Sequence, residues 1–192
     1  MGFLREKYKR YPYDSFFLNW VERIPVPSTE KHTLQLRGQA AVIDRWVDSF
    51  YELQLGGPNQ MRGYTFYSLS GRKNVMGQIL YRFPLFYDMK KRWFAWYFNH
   101  LYMGVFADAG RAWNSRDLTW SVKGFKRDAG VELRLDALSF YNLPTMVECS
   151  AAWGPDATWI RKMDPETSVF NTVKDNQYPW KFYFTVLFGF TQ

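Results

Sequence analysis

Apolar and polar residues alternate with a period of two in segments of about ten residues, and turn-forming residues separate the segments. Trp180–Phe190 is the clearest. Phe182, Phe184, Val186, Phe188 and Phe190 share one face; Tyr183, Thr185, Leu187 and Gly189 share the other. Asp128–Ala137 alternates more cleanly still, with Ala129, Val131, Leu133, Leu135 and Ala137 opposite Asp128, Gly130, Glu132, Arg134 and Asp136. Four charges on one strand face would ruin a sandwich core, yet they suit a wet lumen behind a lipid-facing surface. Taken alone, a soluble strand with one wet face explains that segment equally well.

Five further segments fit the same scheme. Leu101–Gly110 points Leu101, Met103, Val105 and Ala107 outward and Gly104, Phe106, Asp108 and Gly110 inward. Val75–Leu85 points Val75, Ile79, Tyr81, Phe83 and Leu85 outward, with Gln78 and Arg82 inward. Lys31–Ile43 and Thr145–Trp153 follow suit, placing Gln35, Arg37, Gln39, Glu148 and Ser150 inward, and Ser15–Ile24 is the least distinct. The fold class expected is all-β: an antiparallel transmembrane β-barrel, of which these seven meandering strands form the C-terminal portion.

The links between strands alternate in length. Short turns at Pro25–Glu30, Tyr87–Arg92 and Ser139–Pro144 interleave with long loops at Asp44–Asn74, Arg111–Lys123 and Gly154–Pro179. Outer-membrane barrels have this order, because one rim carries tight periplasmic turns and the other external loops. Aromatics crowd the rims at Trp93, Trp96, Tyr97, Trp113, Trp120, Trp153 and Trp180, as interfacial girdles require.

Composition narrows the choice. Aromatics make up 20% and apolar residues 47% of 192 residues, yet no stretch approaches the ~20 apolar residues that a membrane helix needs. The net charge of +7 invites a nucleic-acid reading, but the basic residues are dispersed, and the densest groups, Arg5–Arg10 and Lys90–Arg92, fall at a terminus and a turn. Cys149 is the single cysteine, and His32 and His100 lack ligand-like spacing, so no metal centre or cofactor is expected. Residues 1–14 form an unassigned basic segment, and 15–192 form the barrel portion. The first ten residues lack the apolar core of a signal peptide, so for a barrel protein the chain is expected to begin partway through a longer product.

Three motifs follow one another along the chain: Gly56-Gly57-Pro58-Asn59-Gln60-Met61-Arg62-Gly63-Tyr64, then Tyr81-Arg82-Phe83-Pro84-Leu85-Phe86, then Phe106-Ala107-Asp108-Ala109-Gly110. Each is weak alone; their order, spacing and the aromatic last strand together resemble the C-terminal barrel of the outer-membrane assembly-factor superfamily, BamA/TamA-like proteins and bacterial surface antigens among them. The resemblance covers about Lys31 to Gln192. It implies a barrel of roughly sixteen strands, with the loop at 44–74 folded back into the lumen. It also implies that Arg62 pairs with Asp108, whose inward orientation the alternation supports independently; a planar guanidinium suits a carboxylate well. Gly56, Gly57 and Gly63 would supply backbone angles that other residues resist. Gly63, Tyr64, Gly110 and Arg82 complete the expected lock. One departure stands out: the family often has a Glu two residues before the Arg of the RFP motif, whereas here that position is Leu80, with neutral Gln78 one inward step away. The lock would then rest on Asp108 alone.

The function implied is assembly or translocation of polypeptides at the bacterial outer membrane, without enzymatic chemistry. Its partners would be outer-membrane lipid, client polypeptides or outer-membrane proteins, and the remaining strands or periplasmic domains of the full-length protein. Phe182, Phe184, Phe188 and Phe190 would line a seam at the terminal strand, where unpaired edge amides can template a client strand. Two alternatives are a barrel that anchors a larger protein, such as a patatin-like lipase, and a soluble basic β-domain binding nucleic acid or polysaccharide. The sequence contains no G-x-S-x-G elbow, so a lipase site would lie outside it.

Overall fold

A computed structural model describes residues 13–189 except 28, 30, 48–49, 115–123, 141, 157, 164–169 and 176–178, and side chains are not described for 157–178. Phe190, Trp120 and nearly all of the basic N-terminal segment lie outside the described residues. In chain order the strands are β1 (Ser15–Pro25), β2 (Thr33–Ile43), β3 (Leu53–Leu55), β4 (Leu69–Gly71), β5 (Lys73–Phe86), β6 (Lys91–Trp93), β7 (Trp96–Trp113), β8 (Lys126–Ser139), β9 (Leu143–Trp153), β10 (Thr158–Met163), β11 (Phe170–Asp175) and β12 (Trp180–Phe188). No helix among the described residues is long and apolar enough to cross a membrane.

Seven of these strands form one antiparallel meander in the order β1-β2-β5-β7-β8-β9-β12, with β6 pairing the start of β7. They are the seven read from the alternation, with boundaries moved by a few residues at most ends. The largest difference is β7, which runs well beyond Leu101–Gly110 at the short-turn side. There Lys91 and Arg92 do not form the turn itself: β6 pairs with β7 down to Trp93 opposite Trp96, and Phe94, at φ 51°, and Ala95 make the reversal. The short β3–β4 pair lies within the loop between β2 and β5, and β10–β11 form a hairpin between β9 and β12.

The sheet is a portion of an antiparallel transmembrane β-barrel, and its burial is inverted relative to a soluble protein. On β8, Asp128, Glu132 and Asp136 are buried while Val131 and Leu133 are more than 40% exposed. On β12, Phe182 is 76% and Phe184 70% exposed, whereas Lys181 and Tyr183 on the opposite face are half-buried. A strand in water would bury its phenylalanines; a strand whose outer face meets hydrocarbon would not. The end strands β1 and β12 each pair on one side only within the described residues, so the sheet is open.

What covers the polar face is the β2–β5 loop. Leu55, Met61 and Tyr64 from the loop cluster with Met76 of β5, and Leu53 packs with Ala41 and Ile43 of β2. Those two clusters explain why the inner face of β2 turns apolar toward its end: it meets loop, not water.

Candidate functional site

The tip of the loop is built by turns that its sequence dictates. Gly56 and Gly57 take φ values of +113° and +103°, which side chains with a β-carbon resist. From there the chain curls tightly: the Gly57 amide donates to the carbonyls of Met61 and Tyr64 at 3.1 Å each, and the Tyr64 amide to the Met61 carbonyl at 3.2 Å. Gly63 differs from its two partners and from the expectation for it. Its φ is not positive; it is needed because a β-carbon there would collide with the β-carbon of Asp128 and come within 2.9 Å of the Gly154 backbone. Gly110 serves a matching purpose on the wall, since a β-carbon there would lie 2.7 Å from the Met61 sulfur. Both glycines allow the loop and the sheet to approach.

The wall beneath the tip is laid out in rows by the register. One row runs Arg82–Gly104–Glu132–Ser150–Tyr183 across β5, β7, β8, β9 and β12. The next runs Leu80–Phe106–Gly130–Ala152, and the next Gln78–Asp108–Asp128. Gly104 leaves room for the Glu132 side chain to lean toward Arg82: a β-carbon there would sit 2.7 Å from Glu132 Cγ. Gly130 and Ala152 likewise make the slot for the Phe106 ring.

Into this wall the loop inserts Arg62, 7% exposed. Its Nη1 donates to Glu132 Oε2 at 2.6 Å, and its guanidinium lies 4.2 Å from the centroid of Phe106. The other oxygen of Glu132 accepts from Arg82, with Nε at 2.9 Å and Nη2 closer still. Glu148 on β9 stands 4.0 Å from Arg62. A carboxylate with no exposed side-chain surface is thus held between two arginines, the arrangement that allows a buried charge to persist. Arg62 makes no ion pair with Asp108, so the expected pairing is corrected: the acceptor is one strand further along. Asp108 is buried between Gln78 and Asp128 in its row. Gln78 does not replace the missing acceptor either: it sits opposite Asp108, while Arg62 bonds to Glu132. Leu80, in the place of that acceptor, packs on Phe106 and Ala152 and so supports the ring under Arg62.

Tyr64 makes the second attachment. Its hydroxyl donates to the Arg127 carbonyl at 2.7 Å and lies 3.2 Å from Asp156, while its carbonyl accepts from the Tyr183 hydroxyl at 3.2 Å. Burial, and then the negative charge of Asp156, push the Tyr64 phenol well above its ordinary value, so it stays a donor. On the other flank Arg37 of β2 donates to the Asn59 carbonyl at 2.8 Å. The loop therefore touches the sheet from β2 to the terminal strand.

Glu132, Glu148 and Tyr183 were each legible as inward-facing, but nothing in their own neighbourhood marked them as loop partners. The inward positions opposite Arg82 through glycine would have singled out Glu132. The histidines are structural neighbours of aromatics: His32 bonds to the Tyr81 hydroxyl, and His100 stacks on Tyr87 while accepting from the Asp88 amide. No group of three or more His, Cys, Asp or Glu able to hold a metal ion occurs among the described residues.

No curated protein and no solved structure matches this chain. Residues 16–140 match the Omp85 superfamily domain, from the start of β1 to the end of β8, and that span contains the loop and all three of its motifs. The chain belongs to the Omp85 superfamily, a family of outer-membrane assembly and transport proteins.

Proposed function

We propose that the chain forms the terminal strands of a bacterial outer-membrane barrel that inserts or passes polypeptides, with the docked loop setting the state of the lumen and the terminal strand forming a seam. The observation that carries this is the inverted burial of β12 and β8, in which phenylalanines face out and charges face in. Leaving water is worth about 1.5–3 kcal/mol for each phenylalanine so placed, which favours hydrocarbon as the neighbour of Phe182, Phe184 and Phe188. The seam reading is supported by the edge of β12, which among the described residues pairs on one side only and can receive a strand on the other. The lock residues are Arg62, Gly63, Tyr64, Glu132 and Arg82, with Gly56 and Gly57 supplying the turn angles, Gly110 providing clearance, and Asp108 and Gln78 lining the wall beside them.

A Cys149→Ser background with a single cysteine introduced at Phe182, Tyr183 or Phe184 tests the reading. Each is labelled with an environment-sensitive dye in liposomes containing brominated lipid. Quenching at 182 and 184 but not 183 is expected; equal quenching at all three, or none, would remove the lipid-facing assignment. In the same liposomes the folding rate of an added unfolded barrel protein reports the function, and acceleration no greater than in empty liposomes would refute it.

A further inference from the structure

The tip of the β2–β5 loop is held from two sides, and the second side is not the wall. The ladder between β9 and β12 ends with Trp153 opposite Trp180. One further bond, from the Gly154 amide to the Pro179 carbonyl at 3.0 Å, closes the root of the long connection that carries the β10–β11 hairpin. That root lies against the tip. The Gly63 and Gly154 backbones approach so closely that a β-carbon on Gly154 would stand 2.5 Å from the Gly63 carbonyl oxygen. Two residues on, Asp156 is half-buried. Its Oδ2 accepts from the Arg127 amide at 3.1 Å, and the Tyr64 hydroxyl stands 3.2 Å away.

The two attachments differ in where they can be reached. Arg62 and Arg82 meet Glu132 well inside β8, where the carboxylate has no exposed side-chain surface. Gly154, Pro155 and Asp156 lie past the last strand pair, at the long-loop rim, and Pro155 is exposed. A rearrangement of the root therefore moves groups that touch Gly63 and Tyr64 without first disturbing the contacts between arginine and glutamate.

We infer that the root of the β9–β12 connection is a latch on the loop tip: closed, it holds Gly63 and Tyr64 in place, and opened from the cell-surface side it releases them. The inference rests on the membrane reading above, in which the long-loop rim is external. Asp156 is a positioning residue that acts through Tyr64. Contacts that join two elements couple them in both directions, so undocking the tip also loosens the root.

Native-state hydrogen exchange of the protein in detergent micelles reads both ends, the tip at the Gly57 amide and the root at the Gly154 amide. Asp156→Ala takes an acceptor from the Arg127 amide and the Tyr64 hydroxyl, and should speed exchange at Gly57 about three- to tenfold. Asp156→Asn keeps an acceptor oxygen and should stay within about twofold of the parent. In a Tyr64→Phe background Asp156→Ala should add less than about twofold; an equal effect in both backgrounds would leave Asp156 as a cap on β8 alone and overturn the latch. Gly154→Ala sets a β-carbon against the Gly63 carbonyl and should speed Gly57 exchange about tenfold or more. Arg62→Ala, acting from the wall, should speed exchange at Gly154 about threefold or more. No change in either would show that root and tip move independently. The approach from outside is tested on whole cells, with Cys149→Ser/Pro155→Cys and an impermeant maleimide carrying a polyethylene glycol chain. Protein labelled there and then purified should exchange at Gly57 about threefold faster or more than the unlabelled variant, and equal rates would overturn the latch. If the cysteine reacts only after purification, the external assignment of this rim fails, and the exchange comparisons in micelles still decide the latch.

Discussion

Arg62→Ala, Glu132→Gln and Asp108→Asn, alone and paired, distinguish the lock seen here from the one that the motifs imply. The contact between Arg62 and Glu132 is a charge-assisted hydrogen bond of 2.6 Å with the two side chains 9% and 0% exposed. Bonds of that type contribute about 1.5–3 kcal/mol, and the guanidinium over Phe106 adds about 1–2 kcal/mol in a dry setting. Arg62→Ala leaves Glu132 still paired with Arg82, so loop docking should weaken by about 2–3 kcal/mol rather than by the full cost of an orphaned charge. Glu132→Gln is the more damaging change, about 3–5 kcal/mol, because it leaves Arg82 without its carboxylate and Arg62 with only Glu148 at 4.0 Å. Docking is read by native-state hydrogen exchange at the Gly57 and Tyr64 amides, whose bonds close the turn that the wall covers. The double-mutant cycle should give a coupling of about 2 kcal/mol for Arg62 with Glu132 and about 0.5 kcal/mol or less for Arg62 with Asp108. A larger coupling to Asp108 than to Glu132 would refute the geometry.

Three further outcomes follow from neighbouring contacts. Gly63→Ala should undock the tip by about 1–3 kcal/mol or more, since the Asp128 side chain and the Gly154 backbone both stand in the way; trypsin cleavage after Arg62, slow in the parent, should become fast. Asp128→Asn should change docking by less than about 1 kcal/mol, because two buried carboxyls directly opposite one another do not both ionise and Asn has the shape of the protonated one; a loss comparable with that of Glu132→Gln would mean that Asp128 holds a partner as a carboxylate. Tyr64→Phe should cost about 1 kcal/mol. Because burial raises the Tyr64 phenol above its ordinary value near 10, the parent's docking should be unaffected by this group below about pH 10 and weaken as pH rises beyond it. Exchange at the Gly57 amide across that range should show the inflection in the parent and none in Tyr64→Phe.

The strands were legible in the sequence because a barrel wall is the simplest case of period-two patterning. Each strand meets lipid on one face and a polar interior on the other, so Asp128, Glu132 and Asp136 could be placed inward from spacing alone. Register was not legible. Alternation says which face a residue takes but not which residue sits opposite on the next strand, and the choice between Asp108 and Glu132 is a question of register. Both are inward acids on adjacent strands; pairing Gly104 with Glu132 brings the glutamate beside Arg82, and that row, not the nearer motif, receives Arg62. The role of Gly63 was misread for a related reason: a glycine between Arg and Tyr in a loop suggests a turn, while its requirement comes from a wall that only the folded chain brings near.

The position of the acceptor also bears on how firmly the loop is held. An acceptor at position 80 would have tied Arg62 to β5, the strand that directly follows the loop in sequence. With Leu80 there, the tie passes to β8, and Tyr64 carries it further, through the Arg127 carbonyl on β8 and Tyr183 on β12. Releasing the tip therefore disturbs the strand that carries the terminal edge, and displacement of that edge disturbs the tip, since two sites joined by one set of contacts are coupled in both directions. The loop's Leu55, Met61 and Tyr64 form a buried apolar cluster with Met76 of the wall, so a docked loop and an ordered terminal strand support each other.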